Sequence, residues 1–277
     1  MKKKKPHWLN KRFSFRKINN TKRKLYGVDT VCRQALCPNM TDCWGRGRAS
    51  FLILGNICTR GCLFCNITAG RPLPPDPREP GKVADAVFRL ELSHAVVTSP
   101  TRDDLEDGGA SHYAAVIRQL RGKSSVEVLI PDFLGNKKAV KIVAQERPDI
   151  IGHNIETVER LYFIRKGASY RRSLDLLRAA SDFSNTKTKS SIMLGMGETE
   201  KEVIKTMKDI RDAGVSFLAV GQYLMPGKKN YPVRDYIHPE RFREYARAAE
   251  EIGFEDVESS PYTRSSSATK MKGLVEK

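Results

Sequence analysis

Compact apolar runs alternate with amphipathic stretches along most of the chain. Residues 49–55 (Ala-Ser-Phe-Leu-Ile-Leu-Gly) form an apolar run of strand length closed by glycine. Beyond it the pattern predicts helices over 83–92, 113–120, 136–146, 173–181, 199–213 and 239–252. Between them it predicts strands over 94–98, 126–130, 149–152, 189–194 and 217–220. Strands alternating with helices of this length read as parallel βαβ units. About six such units, counted from the run at 49–55, imply an α/β fold built as a partial (β/α)6 TIM-like barrel. A doubly wound open sheet is the alternative. No repeat at fixed period stands out.

With 277 residues, 40% of them hydrophobic, the chain can bury a sizeable core. The opening Met1-Lys2-Lys3-Lys4-Lys5-Pro6 is charged, and no apolar run follows it, so it does not read as a secretory leader. No stretch is apolar enough to cross a bilayer. A cytoplasmic location and reduced thiols are therefore expected, which favours cluster or metal ligation over disulfides. Residues 1–24 are rich in Lys and Arg but interrupted by Trp8, Leu9, Phe13 and Phe15, and read as an arm lying on the body. The net charge of +17 has a bland reading, a solvated surface. Its sharper reading is an acidic partner, either nucleic acid or a small acidic carrier protein.

The chemistry concentrates in the six cysteines, all between Cys32 and Cys65. Cys58, Cys62 and Cys65 leave the end of the first predicted strand at offsets of four and three. Such spacing wraps a loop around one iron–sulfur cube, and three thiolates leave one of four irons open to a chelating small molecule. The pattern is that of radical S-adenosylmethionine (SAM) enzymes, and Phe64 supplies the aromatic residue they favour before the last cysteine. A zinc knuckle, a ferredoxin-like site and a disulfide pair are the alternatives. Cys32, Cys37 and Cys43 form a second triplet, at offsets of five and six. No helical or strand period puts these on one face, so a loop must fold around something, again one ligand short. Polar clusters follow other strands, where β/α barrels place their chemistry. They are Thr98 to Asp104, His153-Asn154-Ile155-Glu156-Thr157, Gly195-Met196-Gly197-Glu198-Thr199 and Gly221-Gln222-Tyr223. The Gly195/Gly197 pair lacks the later glycine of a dinucleotide loop and reads equally as a plain turn. Glu156 and Glu198 are candidates for ligand contact or for capping; His153 reads as structural.

The whole set resembles the lipoyl synthase family from about Trp8 to the tail. The resemblance rests on the Cys32/Cys37/Cys43 triplet with Pro38-Asn39 and Trp44. It also rests on Val97-Thr98-Ser99, Arg102-Asp103-Asp104-Leu105, Asp107-Gly108-Gly109-Ala110, Leu129-Ile130-Pro131-Asp132-Phe133, His153 to Val158, Tyr170-Arg171-Arg172-Ser173-Leu174 and Gly221-Gln222-Tyr223-Leu224. It implies a 4Fe-4S cluster on Cys58, Cys62 and Cys65 that cleaves SAM to a 5′-deoxyadenosyl radical. An auxiliary 4Fe-4S cluster on Cys32, Cys37 and Cys43 would be consumed as the sulfur source. Its fourth ligand is the second serine of a C-terminal Arg-Ser-Ser-Tyr motif, which maps onto Ser266; Ser265 and Ser267 are rivals, because Ser267 stands where the family has Tyr. Thr269 stands where Ala is common, Ser191 replaces a frequent Gly, and Asn230-Tyr231-Pro232 replaces His-Leu-Pro. Asn154, Glu156 and Arg171 are the expected SAM contacts.

The implied reaction inserts two sulfur atoms, at carbons 6 and 8 of a protein-bound octanoyl-lysine, using two SAM molecules. The implied carrier is a lipoyl domain, either a 2-oxoacid dehydrogenase acyltransferase or the glycine cleavage H protein. A ferredoxin or flavodoxin would supply electrons and an iron–sulfur carrier would rebuild the cluster; neither membrane nor nucleic acid is implied. The division that follows is an N-terminal extension (1–48), a radical SAM partial barrel (49–257) and a C-terminal segment carrying the serine ligand (258–277). A radical methylthiotransferase, an iron–sulfur electron carrier and a zinc-dependent nucleic-acid binder are the competing classes.

Overall fold

The computed structural model describes residues 4–10, 25, 27–35, 37–183 and 185–267. Phe13, Phe15 and Thr269 lie outside them. The strands are β1 (Asp29–Thr30), β2 (Arg48–Leu52), β3 (Ile57–Cys58), β4 (Thr68–Ala69), β5 (His94–Thr98), β6 (Ser125–Leu129), β7 (Ile150–Gly152), β8 (Lys187–Leu194), β9 (Phe217–Gln222) and β10 (Asp256–Ser260). The helices are α1 (Val31–Gln34), α2 (Met40–Gly45), α3 (Glu79–Arg89), α4 (Ala110–Leu120), α5 (Lys137–Gln145), α6 (Tyr170–Ser181), α7 (Glu200–Asp212) and α8 (Pro239–Ile252). One sheet holds eight strands in the order β1-β2-β5-β6-β7-β8-β9-β10. From β2 to β10 every pairing is parallel, and β1 caps the β2 edge antiparallel. Six β/α units and a seventh parallel strand thus make a partial barrel whose two edges do not pair among the described residues. The expected boundary at 257 falls inside β10, so the sheet runs three residues further than the division anticipated.

The sheet has two chemically different faces, as the period of two requires. Ala49, Phe51, Ala95, Val97, Val126 and Val128 pack outward against Val83, Val87, Tyr113, Val116 and Val143 of the helices. Ile192, Leu194, Leu218 and Val220 do the same against Leu177, Val203, Met207 and Phe242. The alternate positions Ser50, Val96, Ser191, Met193 and Gly221 point into the curve of the sheet and line cavities there. The outer layer carries the apolar burial; the inner face is left free for chemistry.

At the top of β2 the chain turns sharply, with Leu54 at φ 64°. The Glu79 carboxylate accepts the Leu54 N–H at 2.7 Å, and the buried Arg102 donates to the Leu54 carbonyl at 3.1 Å. The N–H and the carbonyl of Leu54, and so the peptide groups on both sides of it, are thereby fixed where the chain delivers the cysteine loop. At the other terminus Leu9 is fully buried and the Trp8 ring meets His238 edge-on.

Candidate functional site

The first cysteine loop is tied down on three sides. Cys58 ends β3, which pairs parallel with β4. Thr59 N–H donates to the Thr101 carbonyl (3.0 Å) and Leu63 N–H to that of Ile164 (2.8 Å). The Tyr231 N–H reaches the Leu63 carbonyl (2.7 Å), and Asn230 Nδ2 donates to the Cys65 carbonyl (2.8 Å). The departure at Asn230-Tyr231 therefore lies in a strap across the loop. Two backbone N–H groups already point at sulfur, Arg60 to Cys58 (3.3 Å) and Ile67 to Cys65 (3.4 Å). Arg60 is itself locked, donating twice to Asp103 (2.6 and 2.8 Å) and once to Asp132 (2.8 Å). Arg172 Nε takes the other Asp132 oxygen at 2.8 Å. Burial alone would raise the Asp132 carboxyl, but hydrogen bonding and charge from Arg60, with Arg172 behind, hold it down at about 2.

The second triplet is not one loop, as the spacing had implied. Cys32 sits on the single-turn α1, Cys43 on α2, and Cys37 in the link between them. All three line one hollow with Ser50, His94, Arg264, Ser266 and Ser267. The C-terminal segment is brought there by Asn39, whose Nδ2 donates to the Tyr262 carbonyl at 2.6 Å. Of the three serines, Ser265 is absent from this hollow's lining. Ser267 closes a local turn, accepting the Arg264 N–H on its hydroxyl (2.8 Å). The Ser266 hydroxyl makes no hydrogen bond among the described residues. A cavity of about 420 Å³ joins the two regions, lined by Cys32 and Cys37 on one side and Cys65 on the other. Phe64, Asn154, Glu156, Met193, Met225 and Ser266 complete much of its wall.

Asn154 and Glu156 come together on that wall, Asn154 Nδ2 donating to Glu156 Oε1 at 2.9 Å. Burial raises the Glu156 carboxyl, although Arg165 and Asn154 pull it back. Arg171 is not brought to them: it is exposed and lines a separate groove beside Lys137 and Asp175. The arginine that does serve this wall is Arg165, which donates to the Asn154 carbonyl (2.8 Å) and to Tyr162 Oη (2.5 Å). Nothing in the pattern marked it, since it follows a short 3-10 segment with no regular period. Glu198 closes a turn instead, accepting the N–H groups of Gly195 and Met196. Gly195 and Gly197, both at positive φ, belong to that turn, and Thr199 with Glu202 caps α7.

His153 is structural in its contacts. Its ring is buried and Nδ1 faces the Ile130 carbonyl at 2.8 Å, so Nδ1 carries the proton. Burial, with Arg165 nearby, depresses its pKa to about 4. An unfolded histidine takes its proton near pH 6.5. Acidification from about 6.5 to 4 therefore protonates the unfolded chain first and should cost about 3 kcal/mol of stability. Asp132 adds its own loss only lower, as pH falls from about 4 through about 2. Denaturant melts of the metal-free chain between pH 7 and 4 check this, and His153→Asn should flatten the upper window. A flat profile in the parent would contradict a neutral buried imidazole.

None of the six cysteines is in a disulfide. Burial, then crowding by Cys37 and Cys43, pushes the Cys32 thiol up to about 11. Burial does the same to Cys65, also to about 11, and raises Cys62. Thiolates packed this way repel one another until a cation offsets them. Among the described residues no three His, Cys, Asp or Glu side chains converge on a point that one metal ion could fill. The donor set at each site, three cysteine thiols, is that of an iron–sulfur cube with one corner left to another ligand.

The radical SAM superfamily matches residues 52–210. A lipoyl synthase of Geobacter metallireducens is 51% identical over 273 residues, covering 95% of each chain. One from Caldicellulosiruptor saccharolyticus is 48% identical over 274 residues, covering 96% of each. Among solved structures, methylornithine synthase shares the fold at TM-score 0.59 and 12% identity, over 86% of this chain and 74% of that one. Coproporphyrinogen III oxidase from Escherichia coli does so at 0.53 and 13%, over 74% and 53%.

Proposed function

The chain belongs to the lipoyl synthases of the radical SAM superfamily, and from that premise we propose how its residues divide the work. The reaction is insertion of two sulfur atoms, at carbons 6 and 8 of an octanoyl group on a carrier lysine, using SAM and two 4Fe-4S clusters. Cys58, Cys62 and Cys65 would hold the cluster that meets SAM; Cys32, Cys37, Cys43 and Ser266 would hold the auxiliary one. When bound, these groups supply the radical that an unactivated C–H bond requires and the sulfur that replaces its hydrogen. The observation that carries this division is the single cavity opening onto both triplets.

The chain's own part is positioning. Asn154 and Glu156 would bind SAM, the carboxylate facing its cationic groups, while Arg165 holds the Asn154 backbone in place. Phe64, Met193 and Met225 give the cavity an apolar wall for an acyl chain and keep water from the reacting carbon. Ser266 would offer iron an oxygen, a poorer ligand than thiolate, at the site that must come apart. The substrate is an octanoylated lipoyl domain, for which the H protein and the 2-oxoacid dehydrogenase acyltransferases are the proposed sources. A ferredoxin or flavodoxin is the proposed reductant and an iron–sulfur carrier the proposed restorer. Among the described residues no helix is long and apolar enough to cross a membrane.

Anaerobic, reduced protein given SAM and an octanoyl-lysine peptide should yield product heavier by two sulfurs; SAM cleavage without sulfur transfer would reject the assignment. Ser266→Ala should lose the auxiliary cluster, cutting bound iron by about half, one cube of two. SAM cleavage should persist. If Ser265→Ala or Ser267→Ala did this and Ser266→Ala did not, the ligand would be reassigned.

A further inference from the structure

The inner face of the sheet holds a buried ion group that neither thiol triplet explains. Lys189 of β8 and Glu127 of β6 are 3% and 2% exposed. The Lys189 ammonium donates to both Glu127 oxygens, at 3.0 and 3.1 Å. Behind the carboxylate, His94 Nε2 stands 3.4 Å from Glu127 Oε2, and its Nδ1 is 3.2 Å from Ser125 Oγ. An ammonium has three protons. The third goes to the Ser267 carbonyl at 2.8 Å, 78 positions along the chain.

An ion pair in this setting contributes little net stability, because desolvation offsets its attraction. The geometry gives it another use. The segment that carries Ser266 is gripped from two sides: Asn39 of the N-terminal extension holds Tyr262 at its start, and Lys189 of the barrel holds Ser267 at its end. Ser266 lies between these points, in the hollow that His94 and Ser267 also line. We propose that Lys189, neutralised by Glu127, is a positioning residue that pins the Ser267 carbonyl and so sets the Ser266 hydroxyl against Cys32, Cys37 and Cys43. A charged donor suits the task, since it is stronger than a neutral one and its direction is fixed by two carboxylate bonds. This rests on the reading of Ser266 as the fourth auxiliary ligand.

The test compares Ser266→Ala with the double variant Lys189→Met/Glu127→Gln, which removes the donor without stranding a buried charge. Each full-length protein is reconstituted anaerobically with iron and sulfide. Bound iron, the Mössbauer signature of the auxiliary cluster and hydrogen exchange of the 264–267 amides in the metal-free chain are then measured. The double variant should hold about half the iron, one cube of two. It should still cleave SAM at Cys58, and amides 264–267 should exchange faster than in the parent. Should that variant fail to fold, Lys189→Arg decides, because it keeps the charge but puts a wider, planar fork against Ser267. It should alter the auxiliary signature and leave SAM cleavage alone. Two full cubes with parental spectrum and exchange in the double variant overturn the proposal, as does an unchanged Lys189→Arg spectrum. If Ser266→Ala itself keeps both cubes, the underlying ligand assignment fails first, and the two failures are told apart.

Discussion

Gly221→Ala should deprive the Cys32, Cys37 and Cys43 site of its cube while the Cys58 site stays loaded. A Cβ at this position would stand 2.2 Å from the Thr263 carbonyl oxygen and 3.4 Å from Arg264 Nη1. No side chain tolerates the first contact, so something has to move. β9 is held on both sides, Gly221 pairing with Met193 of β8 and Ser260 of β10. The part free to yield is the irregular run after Ser260, which carries Ser266. Glycine is needed here for close approach of two backbones rather than for unusual torsion. The measured outcome is iron and sulfide falling by about half, one cube of two. Lipoyl formation should be lost and SAM cleavage retained. A variant with two full clusters would mean that the segment is not seated on Gly221.

Asp132→Ala should be the most destabilising polar substitution near the Cys58 loop. It strips one of two counter-charges from Arg60 and a counter-charge from Arg172. The Asp132 carboxylate is fully buried and the Arg60 side chain is 6% exposed, so water replaces this partner poorly at Arg60, whereas Arg172, 26% exposed, can turn to solvent. Removing one member of a buried pair costs about 3–5 kcal/mol, and because Asp103 still pairs Arg60 the loss here should be at the lower end, about 3 kcal/mol. For a chain of this size the melting temperature should drop by on the order of 10 °C. The damage should extend to function, because Arg60 lies between Cys58 and Cys62 and its N–H points at the Cys58 sulfur. Thermal melts of the metal-free protein and SAM cleavage after reconstitution are the checks. A loss below about 1 kcal/mol would mean that Asp103 alone satisfies Arg60.

Much of this was legible where a residue's local chemistry and its tertiary fate agree. His94–Thr98 is apolar on its outward face and emerges as a strand with the expected ends. Pro239 at the first turn and Gly253 beyond the last bound α8 as sequence rules demand. α3 begins four residues before its expected start, because Pro80 reads as a breaker yet sits harmlessly in the first turn. β10 went unseen: Asp256-Val-Glu-Ser-Ser has almost no apolar face, and nothing local reveals that β9 will take it as a partner. The site followed the same logic. Cysteine spacing marks both triplets, and only resemblance marks Ser266. Arg171 and Arg165 are chemically alike, but only the path of the chain after Ile164 decides which one reaches the cavity wall.

The bond from Asn39 to Tyr262 joins positions 223 residues apart. A ribosome making this protein therefore exposes Cys32, Cys37 and Cys43 long before it delivers Ser266. With Ser266 as its proposed fourth ligand, the auxiliary pocket is complete only once that late segment has been made. The strap over the Cys58 loop is complete by Tyr231, so the radical centre can be ready first.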